Sequence, residues 1–128
     1  MHHLEEIAEN CIKCIITYGE KGDFDAMENE VEFLKVVINH QDMPPFSGDL
    51  YCDKMVVLQK QFFVKETIKQ LREAKLYADN DEAGNLKIAL KNVWLYLEKS
   101  LLHGADPTLK QKVMHIIQKI TSRYAKKE

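Results

Sequence analysis

Glycine and proline are scarce in this sequence, with five and three copies among 128 residues. Chains built from short strands and turns use these residues often, so their scarcity favours long helices over a β-rich fold. Long apolar runs are also missing, since no segment approaches the ~18–20 apolar residues that a membrane-spanning helix needs. We therefore expect a helical protein with no membrane segment.

Cysteine is present in only three copies, an odd number that does not fit a disulfide framework. The first residues include Glu5, Glu6 and Glu9 and lack the basic-then-apolar order of a signal peptide. Free thiols persist in reducing compartments, where disulfides are rare. The sequence therefore predicts a cytoplasmic protein with free cysteines.

Sequence signatures of catalysis are absent. There is no glycine-rich phosphate loop, no GxSxG, no HExxH and no ExxH pair of the kind that binds iron in helical bundles. Carboxylates are abundant, but acid/base catalysis needs one carboxyl in an apolar pocket and another in solvent. Acidic clusters on polar helix faces do not indicate that arrangement. We predict that the protein is not an enzyme and holds no cofactor or metal.

The charges are unevenly distributed along the chain. The net charge is only −2, yet residues 1–50 hold eleven acids and three bases, whereas residues 51–128 hold nine acids and fifteen bases. Charged residues are 30% of the chain and apolar residues 45%, which is ordinary for a soluble domain. The charged residues of the two halves therefore form either the solvated faces of a bundle or oppositely charged surfaces for different partners.

Apolar residues recur at steps of three and four along most of the chain, which is the pattern of amphipathic helices. This period predicts five helices, at about residues 3–18, 24–40, 50–78, 82–103 and 107–125. Short connections make sequential helices antiparallel neighbours. The predicted fold is all-α: a single-domain, up-and-down antiparallel bundle of four to five helices.

Turn and cap residues mark where these helices begin and end. Asp23 or Asp25 can cap the second helix and Asn80 or Asp81 the fourth, because a short side-chain oxygen accepts hydrogen bonds from free backbone N–H groups. Asp106, followed by proline, is a signal for the start of the fifth helix. The third helix would be about 40 Å long, so it could kink or break near residues 59–61.

A CIKC motif at residues 11–14 has the spacing of a redox pair or of half a zinc site. No second ligand pair follows it, and a reactive pair would sit between a strand and a helix. Both Cys11 and Cys14 instead fall on the apolar stripe of the first helix, which favours core packing. A redox role, or a metal site recruiting His2 or His3, remain the alternatives. Core packing predicts slow labelling of both thiols in the native protein.

Two aromatic features are candidates for partner binding. The loop MPPFSGDLY places Phe46 and Tyr51 where a linker is normally polar. Phe46 could fold back as a plug over the end of the bundle, or anchor a partner. Tyr96 must point away from the main stripe of the fourth helix if Trp94 lies on that stripe.

The C-terminal helix is amphipathic with a basic polar face that includes Lys112, Lys119 and Arg123. Such a face can bind phosphates or an acidic partner, and basic residues near a helix C-terminus are also favoured by the helix dipole. The overall negative charge and the lack of helix-turn-helix spacing or stacking aromatics count against a dedicated nucleic-acid binder.

Residues 18–27, YGEKGDFDAM, resemble the turn between the two helices of a tetratricopeptide repeat. Cys14 and Ile15 stand where that repeat has leucine and glycine, and no second copy follows at the required period of about 34 residues. We therefore assign no family from this turn.

The sequence as a whole predicts a small cytoplasmic module that binds another protein, or itself, as an adaptor, inhibitor or regulatory subunit. One alternative is a nucleic-acid-associated accessory protein that uses the basic C-terminal half. Another is a ligand or metal site within the bundle. The predicted partner-binding residues are Phe46, Tyr51, Tyr96, Lys112, Lys119 and Arg123.

Overall fold

A computed structural model of the protein describes residues 3–127, with side chains described through residue 125. Over this range the chain forms five α-helices and no strand: α1 (His3–Lys21), α2 (Phe24–Ile38), α3 (Pro45–Asp79), α4 (Ala83–Leu102) and α5 (Thr108–Lys127). The all-α prediction with five helices is confirmed. The largest difference in bounds is at the start of α3.

α3 begins at Pro45, not near residue 50. Proline suits the first turn of a helix because its φ is already helical and its missing N–H would have no partner there. The carbonyl of Pro44 accepts a hydrogen bond from the N–H of Gly48 at 2.9 Å, which closes the first turn. The helix then continues without interruption to Asp79, so the predicted break near residues 59–61 is absent.

Three helices end in residues with left-handed backbone conformation. Gly22 (φ 75) follows α1 and Gly104 (φ 90) follows α4, but the equivalent place after α3 is taken by Asp81 (φ 58). A backbone hydrogen bond spans each turn, such as the one from the N–H of Glu82 to the carbonyl of Tyr77 at 2.9 Å. Such bonds satisfy the last carbonyl groups of a helix.

The caps match the predictions in part. Asp23 caps α2, and its side chain accepts a hydrogen bond from the N–H of Ala26. The predicted cap of α4 at Asn80 or Asp81 is wrong: the cap is Glu82, whose side chain makes no capping hydrogen bond. The reason is that Asp81 completes the turn that ends α3, which moves the next helix start along the chain.

The chain divides into two compact units, Met1–Phe62 and Phe63–Glu128. Unit 1 contains twelve acids and five bases, and unit 2 contains eight acids and thirteen bases, so their net charges are −7 and +5. The boundary between the units therefore also separates opposite net charges. The predicted single domain stays a prediction.

Unit 1 consists of α1, α2 and the first half of α3, with α1 packed against α2. Its buried apolar residues are Ala8, Cys11, Ile15, Met27, Val31, Leu34, Val37, Met43, Tyr51 and Met55. Gly19 lies one residue beyond the predicted end of the first helix, but the structure places it inside α1, where it is buried. A β-carbon built on Gly19 would lie 2.5 Å from the nearest ring atoms of Phe62. The absence of a side chain therefore lets the ring pack directly on the backbone of α1.

Unit 2 consists of α3 from Phe63 onward, α4 and α5. Its core is formed by Leu71, Ala74, Ala78, Leu86, Ala89, Val93, Leu97, Val113 and Ile120. Thr67 and Ser100 are also fully buried. Their hydroxyls donate to the carbonyls of Phe63 and Leu97, each at 2.7 Å and each within the same helix.

Candidate functional site

The two cysteines of the CIKC motif lie in α1 in different environments. Cys11 is 2% exposed, whereas Cys14 is half-buried. Burial raises the pKa of the Cys11 thiol to about 11, and the carboxylate of Glu30, which accepts a hydrogen bond from that thiol, adds to the increase. The thiolate is the nucleophile and metal ligand, so this environment lowers the reactivity of Cys11. The core prediction is confirmed for Cys11 and holds only in part for Cys14.

No group of three or more His, Cys, Asp or Glu residues that could hold a metal ion occurs among the described residues. His3 is exposed at the start of α1, and His2 lies outside the described part of the chain. Over the same part, no helix combines the length and apolarity needed to cross a membrane.

Phe46 is 81% exposed on the first turn of α3. The prediction that it plugs the end of the bundle is therefore wrong. Because α3 starts at Pro45, Phe46 is held on a helix and is not part of a loop that can fold back. Met43, three residues earlier in the same segment, is buried instead, with 6% of its surface exposed.

An apolar groove of about 430 Å³ lies between α1 and α3 in unit 1. We call it the apolar groove; its lining residues are Ile12, Ile16, Leu50, Asp53, Lys54, Val57 and Leu58. Leu50 is 44% exposed and Val57 is 42% exposed, so apolar surface of the groove remains accessible in the described structure. Phe46 precedes Leu50 by four residues and Val57 by eleven, which places all three on one face of α3.

Tyr51 directly follows Leu50 on α3 but is only 5% exposed. Its hydroxyl donates to Oε1 of Glu9 on α1 at 3.3 Å. Burial raises the pKa of Tyr51, and the negative charge of Glu9 adds to the effect. The structure therefore places Tyr51 in the packing of unit 1 and not on the surface, where the sequence predicted a partner contact.

Tyr96 belongs to an aromatic cluster in unit 2. Its ring stacks on buried Phe63 with 6.3 Å between centroids, and the ring of His103 lies 5.6 Å from that of Phe63. Lys99 Nζ is 5.4 Å from the centroid of the Phe63 ring. Trp94, by contrast, is 37% exposed, so Trp94 does not lie on the buried stripe of α4 and the condition that would direct Tyr96 elsewhere is not met.

A second groove, of about 500 Å³, lies between α3 and α5 in unit 2. We call it the basic groove; its lining residues are Lys75, His115, Ile116, Gln118, Lys119, Ile120, Ser122 and Arg123. Arg123 Nη2 is 3.9 Å from Oδ1 of Asp79 on α3. The structure thus brings two of the predicted residues, Lys119 and Arg123, together with Lys75.

Lys112, the remaining predicted residue, is exposed on the face of α5 that carries Lys119 and Arg123, but it does not line the groove. Its positive charge contributes to the lowered pKa of Asp106, whose main cause is the hydrogen bond from the backbone N–H of Thr108. Lys112 therefore extends the basic surface toward the start of α5.

Sequence reasoning missed most of the apolar groove. The apolar residues at positions 46, 50 and 57 follow helical spacing, but this second stripe is evident only if Pro45 is recognised as a helix start. It also missed Lys75, whose partners on α5 are distant in sequence.

Comparison with known protein families, curated proteins and solved structures finds no match to this chain. The two grooves are the surfaces from which a function can be inferred. One is almost wholly apolar and the other combines cations with an apolar floor.

Proposed function

We propose that this protein is a small helical module that binds another protein by taking an amphipathic helix into the apolar groove. The observation that carries the proposal is the accessible apolar surface formed by Ile12, Ile16, Leu50 and Val57, with the exposed ring of Phe46 on the same face of α3. Grooves between helices commonly bind a partner helix through apolar residues spaced by three or four.

The energetics favour Phe46 as the main contact. Burying a phenylalanine side chain is worth roughly 1.5–3 kcal/mol, and Phe46 has most of its surface available for burial. Aromatic residues carry a large share of binding energy when a partner closes over them. The groove beside it supplies the surrounding contacts that exclude water.

The negative charge of unit 1 favours a positively charged partner. Its net charge of −7 would attract a helix whose apolar face is flanked by lysine or arginine. Such a partner would be another cytoplasmic protein, with this chain acting as its adaptor, inhibitor or regulatory subunit. A second copy of the chain is the other occupant to be tested.

Site-specific photo-crosslinking tests the proposal. A photoreactive phenylalanine analogue is placed at position 46, and in a matched control at position 33, since Phe33 is 54% exposed on α2 of the same unit. Crosslinking in native lysate should give a defined adduct from position 46 and none from position 33. An adduct with twice the 14.9 kDa mass of the chain would identify self-association.

A second pair of variants tests whether the groove itself is used. Val57→Glu places a charge in the groove and should abolish the adduct from position 46. Val36→Glu places the same charge at a 70% exposed site on α2 and should leave it intact. If both variants retain the adduct, or if both positions crosslink alike, the proposal is wrong.

A further inference from the structure

The basic groove is a separate surface in a different unit from the apolar groove. Lys75 from α3 and Lys119 and Arg123 from α5 place cations around an apolar floor of Ile116 and Ile120. An acid, Asp79, lies near these cations, and its 3.9 Å contact with Arg123 joins side chains that are 39% and 65% exposed. Ion pairs of this exposure are weak. The three cations outnumber this one acid, so the net charge of these four side chains is positive.

The cations form a linear track along α5. Lys112, Lys119 and Arg123 are separated by seven and four residues and share one helix face. At 1.5 Å per residue these steps are roughly 10 and 6 Å along the axis. Lys65, Lys69 and Arg72 are further exposed basic residues on α3 of the same unit.

We infer that the basic groove binds the phosphate backbone of a nucleic-acid strand. A track of separate cations suits an anion that repeats along a chain. Ile116, which is 41% exposed, offers a small apolar surface to a sugar or base. An acidic protein would need more apolar area than this floor provides, so the strand is the better fit.

The number of cations determines how binding should depend on salt. Four cations, Lys75, Lys112, Lys119 and Arg123, can neutralise about four phosphates. For a single strand each neutralised phosphate contributes about −0.7 to the slope of log K against log salt, so the slope should be about −3. A duplex would give a somewhat steeper slope for the same number of contacts. Binding should depend little on base sequence, since phosphate contacts carry no sequence information.

The experiment is a fluorescence anisotropy titration of the full chain with a labelled single-stranded oligonucleotide of mixed sequence, from about 50 to 200 mM salt. The double variant Lys119→Gln/Arg123→Gln should weaken binding and reduce the slope by about 1.4. The matched control is Lys87→Gln/Lys91→Gln, which removes two exposed lysines from α4 of the same unit. The control should keep both the affinity and the slope of the wild type.

Three outcomes would overturn the inference. The first is no binding at the lowest salt. The second is an equal loss of affinity in the groove variant and in the control variant, which would indicate a general effect of charge. The third is that an acidic peptide, poly-glutamate, binds more tightly than the oligonucleotide and depends in the same way on Lys119 and Arg123. That result would assign the groove to an acidic protein. Far-UV circular dichroism verifies that each variant keeps its helices.

Discussion

Gly19 is a site of close contact between α1 and the ring of Phe62 on α3. Its position inside α1 would normally count against helix stability, because glycine loses more backbone entropy than alanine. The ring of Phe62 occupies the space of the missing side chain. Glycine at this position is therefore explained by packing and not by helix termination.

We predict that Gly19→Ala destabilises the protein by about 1–3 kcal/mol, because the new methyl group forces the Phe62 ring out of place. Gly84→Ala is the matched control. A β-carbon at Gly84 in α4 meets no atom within 4 Å, so this change should stabilise by up to about 1 kcal/mol through helix propensity. Urea unfolding followed by circular dichroism measures both, and stabilisation by both changes would contradict the packing argument.

Cys11 and Cys14 should differ in their reaction with a thiol reagent. At neutral pH the native protein should label slowly at Cys11, because the residue is buried and its pKa is raised to about 11. Cys14 and Cys52 are half-buried and should react sooner. Mass spectrometry of peptides after timed labelling resolves the three sites, and equal rates at Cys11 and Cys14 before unfolding would count against this interpretation.

At the scale of elements, the start of α5 depends on an exposed acid. Asp106 Oδ1 accepts a hydrogen bond from the N–H of Thr108 at 2.9 Å, and this bond is the main reason that the pKa of Asp106 is lowered. A carboxyl whose pKa is lower in the folded state stabilises that state above its ordinary pKa. The contribution is lost as the pH falls through the folded-state pKa.

We therefore predict that Asp106→Asn makes the protein less sensitive to acid. Asparagine can still accept the hydrogen bond, but it does not titrate. The difference between the unfolding free energies at pH 6 and at low pH should be smaller in the variant than in the wild type. Asp25→Asn, at an exposed acid in the first turn of α2, controls for the loss of one negative charge. An equal acid sensitivity in wild type and Asp106→Asn would exclude this role.

The elements also determine how much could be predicted from the sequence. Apolar spacing identified all five helices, because each buries a stripe whose period is set by backbone geometry. Pro45 misled the prediction, since proline both interrupts helices and begins them. The sequence could not predict the orientations of Phe46 and Tyr96 or the proximity of Lys75 to Arg123. These features depend on how helices pack against one another, which the apolar period of a single helix does not determine.

At the scale of the whole molecule, units 1 and 2 differ in the sign of their net charge. Units 1 and 2 carry net charges of −7 and +5, while the isoelectric point of the chain is about 6.2. Near that pH the molecule has almost no net charge to keep copies apart, yet each copy presents regions of both signs. Unlike regions of neighbouring molecules should then attract.

We predict that the apparent mass from light scattering near pH 6 falls toward 14.9 kDa as salt rises. The screening length shortens from about 30 Å at 0.01 M to about 8 Å at 0.15 M, which weakens attraction between exposed charges. Association through the apolar groove would instead persist at high salt. An apparent mass that does not change with salt would remove the electrostatic explanation.

The buried hydroxyls of Thr67 and Ser100 bear on how this core can change. Each bonds to a carbonyl of its own helix, so neither bond would break if a neighbouring helix slid or rotated. Buried polar groups that form hydrogen bonds between helices can determine which helices pack together. The hydroxyls of Thr67 and Ser100 bond within their own helices and so do not contribute to that choice. The same core combines small residues, Ala74, Ala78 and Ala89, with larger ones such as Leu71 and Leu97. Such a core can accept substitutions that conserve the total side-chain volume. The outer surfaces of the helices can meanwhile acquire new partners.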